Sequence, residues 1–269
     1  MAAGKPIGIG GLAKTYHTQS GETVEALAPL DLEIDAGEFV VIVGPSGCGK
    51  STLLNMLAGF SEASAGAARV GGERITGPAI DRGMVFQSYA LFPWLDVVGN
   101  VEFGLERKGI PKRERRDIAL SYLQTVGLQD FANKQTSELS GGMKQRVAIA
   151  RAFATEPSII LMDEPFCALD ALTRRVLQRQ LLQIWQQHRK TVVFVTHSVA
   201  EAITLADRIV IMTARPGRIK KLINIELPHP RESTSDRFRD HERELYAELD
   251  EELVKSFAAE GRTVATAAN

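Results

Sequence analysis

The stretch Gly44-Pro45-Ser46-Gly47-Cys48-Gly49-Lys50-Ser51 has residue types and spacing suited to binding phosphate. It fits G-x-x-x-x-G-K-S/T, in which glycines let backbone N–H groups turn toward anionic oxygens with no side chain in the way. Residues 39–43 before it are apolar and read as a buried strand. Residues 50–58 after it read as a helix closed by Gly59. The loop therefore opens a helix N-terminus, whose dipole adds positive potential at the same spot. In such a loop Gly44 to Gly49 form the cradle, including Pro45, Ser46, Gly47 and Cys48, and Thr52 joins them in the first turn. Lys50 reaches β- and γ-phosphates, and the Ser51 hydroxyl ligates Mg²⁺.

Ile159-Ile160-Leu161-Met162-Asp163-Glu164 is an apolar strand that ends in two acids. Asp163 can hold Mg²⁺ directly or through water, and Glu164 can take a proton from an attacking water. Two acids at a strand edge can also simply be solvated. Beside a phosphate loop they gain weight as parts of a phosphoryl-transfer site.

A further element separates the classes of protein that use such loops. Leu139-Ser140-Gly141-Gly142-Met143-Lys144-Gln145-Arg146 places small residues at a second helix start, itself an anion-binding feature. With it the chain resembles the ATP-binding-cassette family over residues 7–227. The resemblance implies an α/β fold: a P-loop NTPase core of RecA-like type with an N-terminal antiparallel β layer and an inserted α-helical subdomain. It also implies ATP and Mg²⁺ as cofactors and a head-to-tail homodimer. Each ATP then lies between the phosphate loop of one subunit and Ser140, Gly141 and Gly142 of the other. By the same resemblance Tyr16 stacks on adenine, Gln87 contacts Mg²⁺ and the attacking water, and His197 contacts the γ-phosphate. Glu164, His197, Gln87 and Lys50 form the catalytic set, with Ser51, Gln87 and Asp163 around the metal. Ala168-Leu169-Asp170 is similar to the loop that crosses the dimer interface. Two positions depart from the pattern: Met143 replaces the glutamine commonest after LSGG, and Cys167 replaces a serine or glycine. Neither position offers a phosphate contact that depends on its side chain.

The elements that position these residues are legible as alternation. Short apolar runs at 39–43, 83–86, 159–162, 191–196 and 208–212 suit a parallel sheet covered on both faces. Ser198 with Glu201 reads as a capping box. Asp170 caps a helix through Gln187 with Leu172, Val176, Leu181 and Ile184 at helical spacing. The first ~35 residues read as short strands with turns at Ser20-Gly21 and Ala36-Gly37, an antiparallel layer. Residues 93–154 are mostly helical, above all 112–126 and 143–154. Residues 236–257 form an amphipathic helix with Phe238, Leu245, Leu249 and Leu253 on one stripe. The expected organisation is an ATPase domain over 5–232 (helical subdomain about 90–155), a helical appendage over 233–260 and a flexible tail over 261–269.

Lys and Arg number 32 against 33 Asp and Glu, a net charge of -1, which argues against nucleic acid held by bulk positive charge. The apolar share of 44% is enough for a sizeable core. The two cysteines lack metal-ligand spacing and read as reduced, and the amino terminus has no apolar core of a secretory signal. Apolar runs fall far short of the ~20 residues a spanning helix needs, so transport would require a separate membrane permease. In the family the segment Gln87 to Leu95 receives that permease, and Trp94 is the expected anchor. Gly77-Pro78, Arg82-Gly83, Leu91-Phe92-Pro93-Trp94-Leu95, Asp170-Ala171-Leu172-Thr173-Arg174 and Ala214-Arg215-Pro216-Gly217-Arg218-Ile219 are similar to the nitrate/sulfonate/taurine importer group. That resemblance implies an extracytoplasmic solute-binding protein and a peripheral place on the cytoplasmic face of the inner membrane. Taurine or another aliphatic sulfonate is the first expected solute, nitrate or another small anion the second. The rival is a soluble cassette ATPase tied to no permease; such proteins usually carry two cassettes or long coiled coils, and this chain has one cassette without them.

Overall fold

A computed structural model describes residues 3–17 and 21–259, without the side chains of 257–259. Ser20 of the expected first turn and the expected tail at 261–269 lie outside the described residues. The chain divides into two compact units. One comprises Asp35–Glu38 and Pro78–Phe194 with the chain start up to Lys5, and the other comprises Pro6–Ile34, Phe39–Gly77 and the chain from Val195 onward.

The second of these opens with β1 (Ile7–His17), β2 (Thr23–Ile34), β3 (Phe39–Val43), α1 (Lys50–Ala58), β4 (Ala65–Val70) and β5 (Glu73–Arg74). Four of the strands make an antiparallel sheet in the order β2-β1-β4-β5. The expected antiparallel layer is present, but β1 and β2 are 11 and 12 residues long rather than short. Register shifts between Ile9 and Thr15 let the pair bend without breaking, and Asp31 takes the Gly11 N–H at one of them. Leu30, Leu32 and Ile34 face inward while Asp31 and Glu33 face out, the period-two pattern of a half-buried strand.

The other unit carries β6 (Arg82–Val85), α2 (Val97–Arg107), α3 (Lys112–Thr125), α4 (Gly141–Ala154), β7 (Ile159–Asp163), α5 (Ala171–His188) and nearly all of β8 (Thr191–Val195). Strands β8, β7 and β6 lie in that order, and β6 and β7 run parallel with Val85 opposite Met162. The three helices α2, α3 and α4 pack on one another as the expected helical insertion. Helix α4 starts two residues earlier than apolar spacing suggests, because the Ser140 hydroxyl caps it by accepting from Met143 N. Asp170 caps α5 as expected. The buried stripe of α5, however, is Leu177, Leu181, Ile184 and Trp185. Leu172 and Val176 are 76% and 44% exposed, since the first turns of the helix project past that stripe.

The chain then completes the earlier unit with α6 (Val199–Leu205), β9 (Arg208–Met212), β10 (Ile219–Asn224) and α7 (Asp236–Ala259). There β10, β9 and β3 lie side by side, β9 parallel to β3 and antiparallel to β10. The five residues of β3 are all buried, as are four of the five in β9, which accounts for their unbroken apolar sequence. Ser198 caps α6, and the Glu201 carboxylate takes the Thr196 hydroxyl at 2.6 Å. Helix α7 packs along α6 through Phe238, Leu245 and Leu249, while Leu253 is 38% exposed; the inward position nearby belongs to Glu252, which is 1% exposed. Lys220 and Lys221 on β10 bind Glu244, Glu248 and Glu251 of α7 at 2.7 to 3.1 Å.

The segment before α2 has one internal staple. Asn100 is fully buried; its Oδ1 accepts from Phe92 N at 2.7 Å, and its Nδ2 donates to the carbonyls of Phe92, Leu95 and Asp96. Asn100→Ala removes the side-chain partner of Phe92 N and of Leu95 O, while the carbonyls of Phe92 and Asp96 keep backbone donors, and is expected to lower unfolding free energy by roughly 1–3 kcal/mol. Urea denaturation of the variant against the native chain measures the loss.

Candidate functional site

Strand β3 delivers the phosphate loop and α1 receives it. Gly47 and Gly49 hold φ of 75° and 96°, left-handed values that a residue with a Cβ adopts only at a cost. At Gly49 a Cβ would also lie 2.6 Å from Leu27 Cδ2 and 2.8 Å from Ala26 O. Gly59 closes α1, as the sequence suggests. The Lys50 ammonium, 6% exposed, donates to the carbonyls of Gly44 and Pro45 at 2.8 Å each and is thereby held within the loop. Burial pushes the Cys48 thiol up, with Lys50 opposing by less, so this side chain adds no negative charge beside the loop. Ser46 and Ser51 are exposed.

His197 is exposed on the turn after β8. That turn is fixed by Thr196, whose N–H donates to Ile42 O at 3.2 Å and whose hydroxyl accepts from Ser198 N at 3.1 Å. The histidine thus leaves the backbone beside the end of β3. Tyr16 is 42% exposed on β1, with Lys14 Nζ 5.0 Å from its ring centroid.

The acidic elements belong to the other unit. Asp163 ends β7 and Glu164 follows it, both half-buried. Glu164 has φ of 43°, a left-handed conformation costly for a side-chain-bearing residue and often kept where function needs it. The parallel register of β6 and β7 brings Gln87 off the neighbouring strand end, and its Nε2 lies 3.5 Å from Cys167 Sγ. Asp170 accepts from Thr173 N and Leu172 N, which hold its carboxyl below the usual carboxylate range.

Ser140 and Gly141 are exposed at the start of α4, and Gly142 is half-buried. A Cβ on Gly142 would lie 2.8 Å from Thr173 Cγ2, and one on Gly141 would lie 3.0 Å from the Tyr89 hydroxyl. A side chain at Gly142 would therefore force Thr173 to shift, and one at Gly141 would press on the Tyr89 hydroxyl. Tyr89 and Ala90 both have positive φ, 63° and 45°. Arg151 of α4 grips this bend: its guanidinium donates to the carbonyls of Ala90 at 2.6 Å and Tyr89 at 3.0 Å and stands 5.3 Å from the Phe92 ring. Burial holds Arg151 below its ordinary value. Trp94, in the same segment, is 72% exposed.

The structure therefore groups Lys50, the loop and His197 in one unit, and Gln87, Asp163 and Glu164 in the other. Sequence spacing gave no hint of Arg151, which is 61 residues from its partner Ala90. Arg215 entered only as part of a subgroup resemblance, yet its Nε donates to Gly47 O at 3.4 Å.

The residues present fit a magnesium nucleotide. Glycine-lined backbone and a buried ammonium suit a polyphosphate. Among the described residues no cluster of three or more His, Cys, Asp or Glu could hold a metal alone. Ser51 in one unit and Asp163 in the other are each of a type that can ligate Mg²⁺, which binds one or two protein groups and completes its shell with phosphate and water. Also among the described residues, no helix is long and apolar enough to cross a membrane.

Comparison with known proteins accords with this chemistry. The family profile described as ABC transporter matches residues 27–167. The taurine import ATP-binding protein TauB of Roseobacter denitrificans is 49% identical over 215 residues, 80% of this chain and 80% of that protein. The nitrate import ATP-binding protein NrtD of Synechocystis sp. is 48% identical over 215 residues, 80% of this chain and 81% of that protein. Among solved structures, the dimeric post-hydrolysis state of the ATP-binding cassette MJ0796, bound to ADP and Pi, matches with a TM-score of 0.74 and 35% identity. It covers 82% of this chain and 100% of that one. The chain accordingly belongs to the ABC transporter family, as an ATP-hydrolysing cassette with the P-loop NTPase fold.

Proposed function

We propose that this cassette powers an importer, acting as one half of a head-to-tail homodimer docked on a separate permease at the cytoplasmic face of the inner membrane. The observation that carries the reading is the exposed LSGG helix start in a chain that already owns a phosphate loop. One nucleotide needs only one such loop from a subunit, so the second anion-binding element is free to serve the nucleotide of a partner. The ATPase spans 5–232 in this reading, with 90–155 as its helical subdomain and 233–260 as an appendage.

Within the closed pair, residues 44–49 wrap the phosphates with Lys50 and Thr52, and Tyr16 stacks on the adenine. Ser51, Asp163 and Gln87 would hold Mg²⁺, which would supply positive charge to the phosphates. Glu164 takes the proton of the water that attacks the γ-phosphorus in line, and Gln87 orients that water. Lys50, His197, and Ser140, Gly141 and Gly142 of the partner subunit neutralise charge as it spreads over the equatorial oxygens. Positioning dominates such chemistry, so turnover waits for closure.

The exposed Trp94 supports the permease-bound reading over a soluble cassette, because Trp is enriched among interface hot spots. The names of relatives support a small anion as solute, and the subgroup resemblance puts taurine or another aliphatic sulfonate first and nitrate second. Near-equal identity to both does not rank them, and in this reading the solute contacts lie with the permease and an extracytoplasmic binding protein.

Glu164→Gln is expected to bind ATP normally, to hydrolyse it about 10²- to 10⁴-fold more slowly and to accumulate as a dimer. Light scattering with and without MgATP, beside phosphate release, reads both; wild-type turnover overturns the base assignment. Lys50→Ala is expected to lose nucleotide affinity in a direct binding assay. Trp94→Ala, in the assembled transporter, is expected to weaken co-purification with the permease and ATP-driven uptake of taurine or nitrate. Unaltered uptake and co-purification remove Trp94 from the interface.

A further inference from the structure

We infer that the turn between β9 and β10 is the outer wall of the phosphate loop and that α7 braces this wall, making Arg215 and Glu252 positioning residues for ATP binding. The inference rests on the reading that residues 44–51 bind the triphosphate.

Backbone geometry carries it. Across a trans peptide the C=O and the N–H point in opposite directions. Gly47 O faces Arg215 Nε at 3.4 Å, and Cys48 O faces Gly217, where a Cβ would lie 2.0 Å away. Both carbonyls are therefore directed at the turn, and the N–H groups of Cys48 and Gly49 are directed away from it, into the loop. Cys48 N donates there to Pro45 O at 3.3 Å. Two successive N–H groups on one side make the concavity that holds an anion. A loop released from the turn can rotate either peptide and lose that alignment.

The turn is itself clamped on two sides. Gly217 N donates to Ala26 O and Ala28 N to Gly217 O, both at 3.1 Å, which stitches it to β2. From the other side Ala214 N donates to Glu252 Oε2 at 2.9 Å. Burial alone would raise this carboxyl, but hydrogen bonds from Lys255 and Ala214 N, with the charges of Lys255 and Lys220, hold it below its ordinary value. Lys255 Nζ lies 2.6 Å and Lys220 Nζ 3.5 Å from Glu252 Oε1. A buried, neutralised carboxylate aimed at one backbone N–H of the turn is a specific attachment. Packing of an amphipathic helix would need only apolar residues at that position.

The test is equilibrium MgATP binding by the full-length chain, paired with the melting temperature of the nucleotide-free chain. Arg215→Ala and Glu252→Ala are each expected to raise the dissociation constant about three- to tenfold, the scale of one ordinary net hydrogen bond. Glu248→Ala removes lysine pairs from the same helix without touching Ala214, so it reads what helix destabilisation alone does to affinity. It is expected to lower the melting temperature with native affinity. Native affinity in either Arg215→Ala or Glu252→Ala overturns the inference, as does an equal loss of affinity in Glu248→Ala. Lys50→Ala separates this failure from that of the underlying reading. If Lys50→Ala also binds MgATP normally, the loop assignment fails; if only the Arg215 or Glu252 variants bind normally, the brace alone fails.

Discussion

A backbone that binds an anion must hold its peptide groups one way round. Side chains choose a rotamer at little cost, but a peptide turned inward leaves its carbonyl outward, and that carbonyl needs a neighbour. In this protein the phosphate loop meets the requirement with left-handed Gly47 and Gly49, with Lys50 taking the carbonyls of Gly44 and Pro45, and with close packing against β2 and the turn after β9. The unbroken apolar runs of β3 and β9 serve the same end, since buried parallel strands give the loop a fixed point of departure.

Among the described residues, three of the five non-glycine residues with left-handed φ lie at or beside candidate functional residues, the other two being Glu156 and Arg189. Glu164, Tyr89 and Ala90 hold left-handed conformations that ordinary residues avoid. Each is supported by neighbours: the backbone turn from Glu164 O to Cys167 N in one case, and the Arg151 guanidinium on two consecutive carbonyls in the other. Arg151 also joins the LSGG helix to the segment that carries Trp94, with the Tyr89 hydroxyl over Gly141 as a second point of contact. Arg151 thus ties α4 to that segment by two directional hydrogen bonds. The Asn100 side chain holds residues 92–96 together on the same side.

The C-terminal helix shows how charge and burial divide their roles. Its pairs with the half-buried Lys220 and Lys221 are shared among several carboxylates and fix no single position of the helix. Glu252 differs because it is buried and bound to a backbone amide, so it specifies where the helix sits and not merely that it sits.

The sequence by itself determined the phosphate-loop motif, the acidic strand, the LSGG helix start, the caps at Asp170 and Ser198, and, within a residue, the five strands read at 39–43, 83–86, 159–162, 191–196 and 208–212, but not β4, β5 or β10. Those features are local: they follow from spacing, from the left-handed tolerance of glycine, and from the reach of a side chain to its own backbone. It did not determine the length of β1 and β2, the exposure of Leu172 and Val176, or the burial of Glu252, because each depends on what lies opposite in space. Nor could it reveal Arg151 on the carbonyls of Tyr89 and Ala90 or Arg215 on that of Gly47, since backbone carbonyls are the same at every position and carry no sequence signal. Only tertiary structure decides which carbonyl a distant guanidinium will meet, because that choice is made by packing between elements and not by the residues that accept the bond.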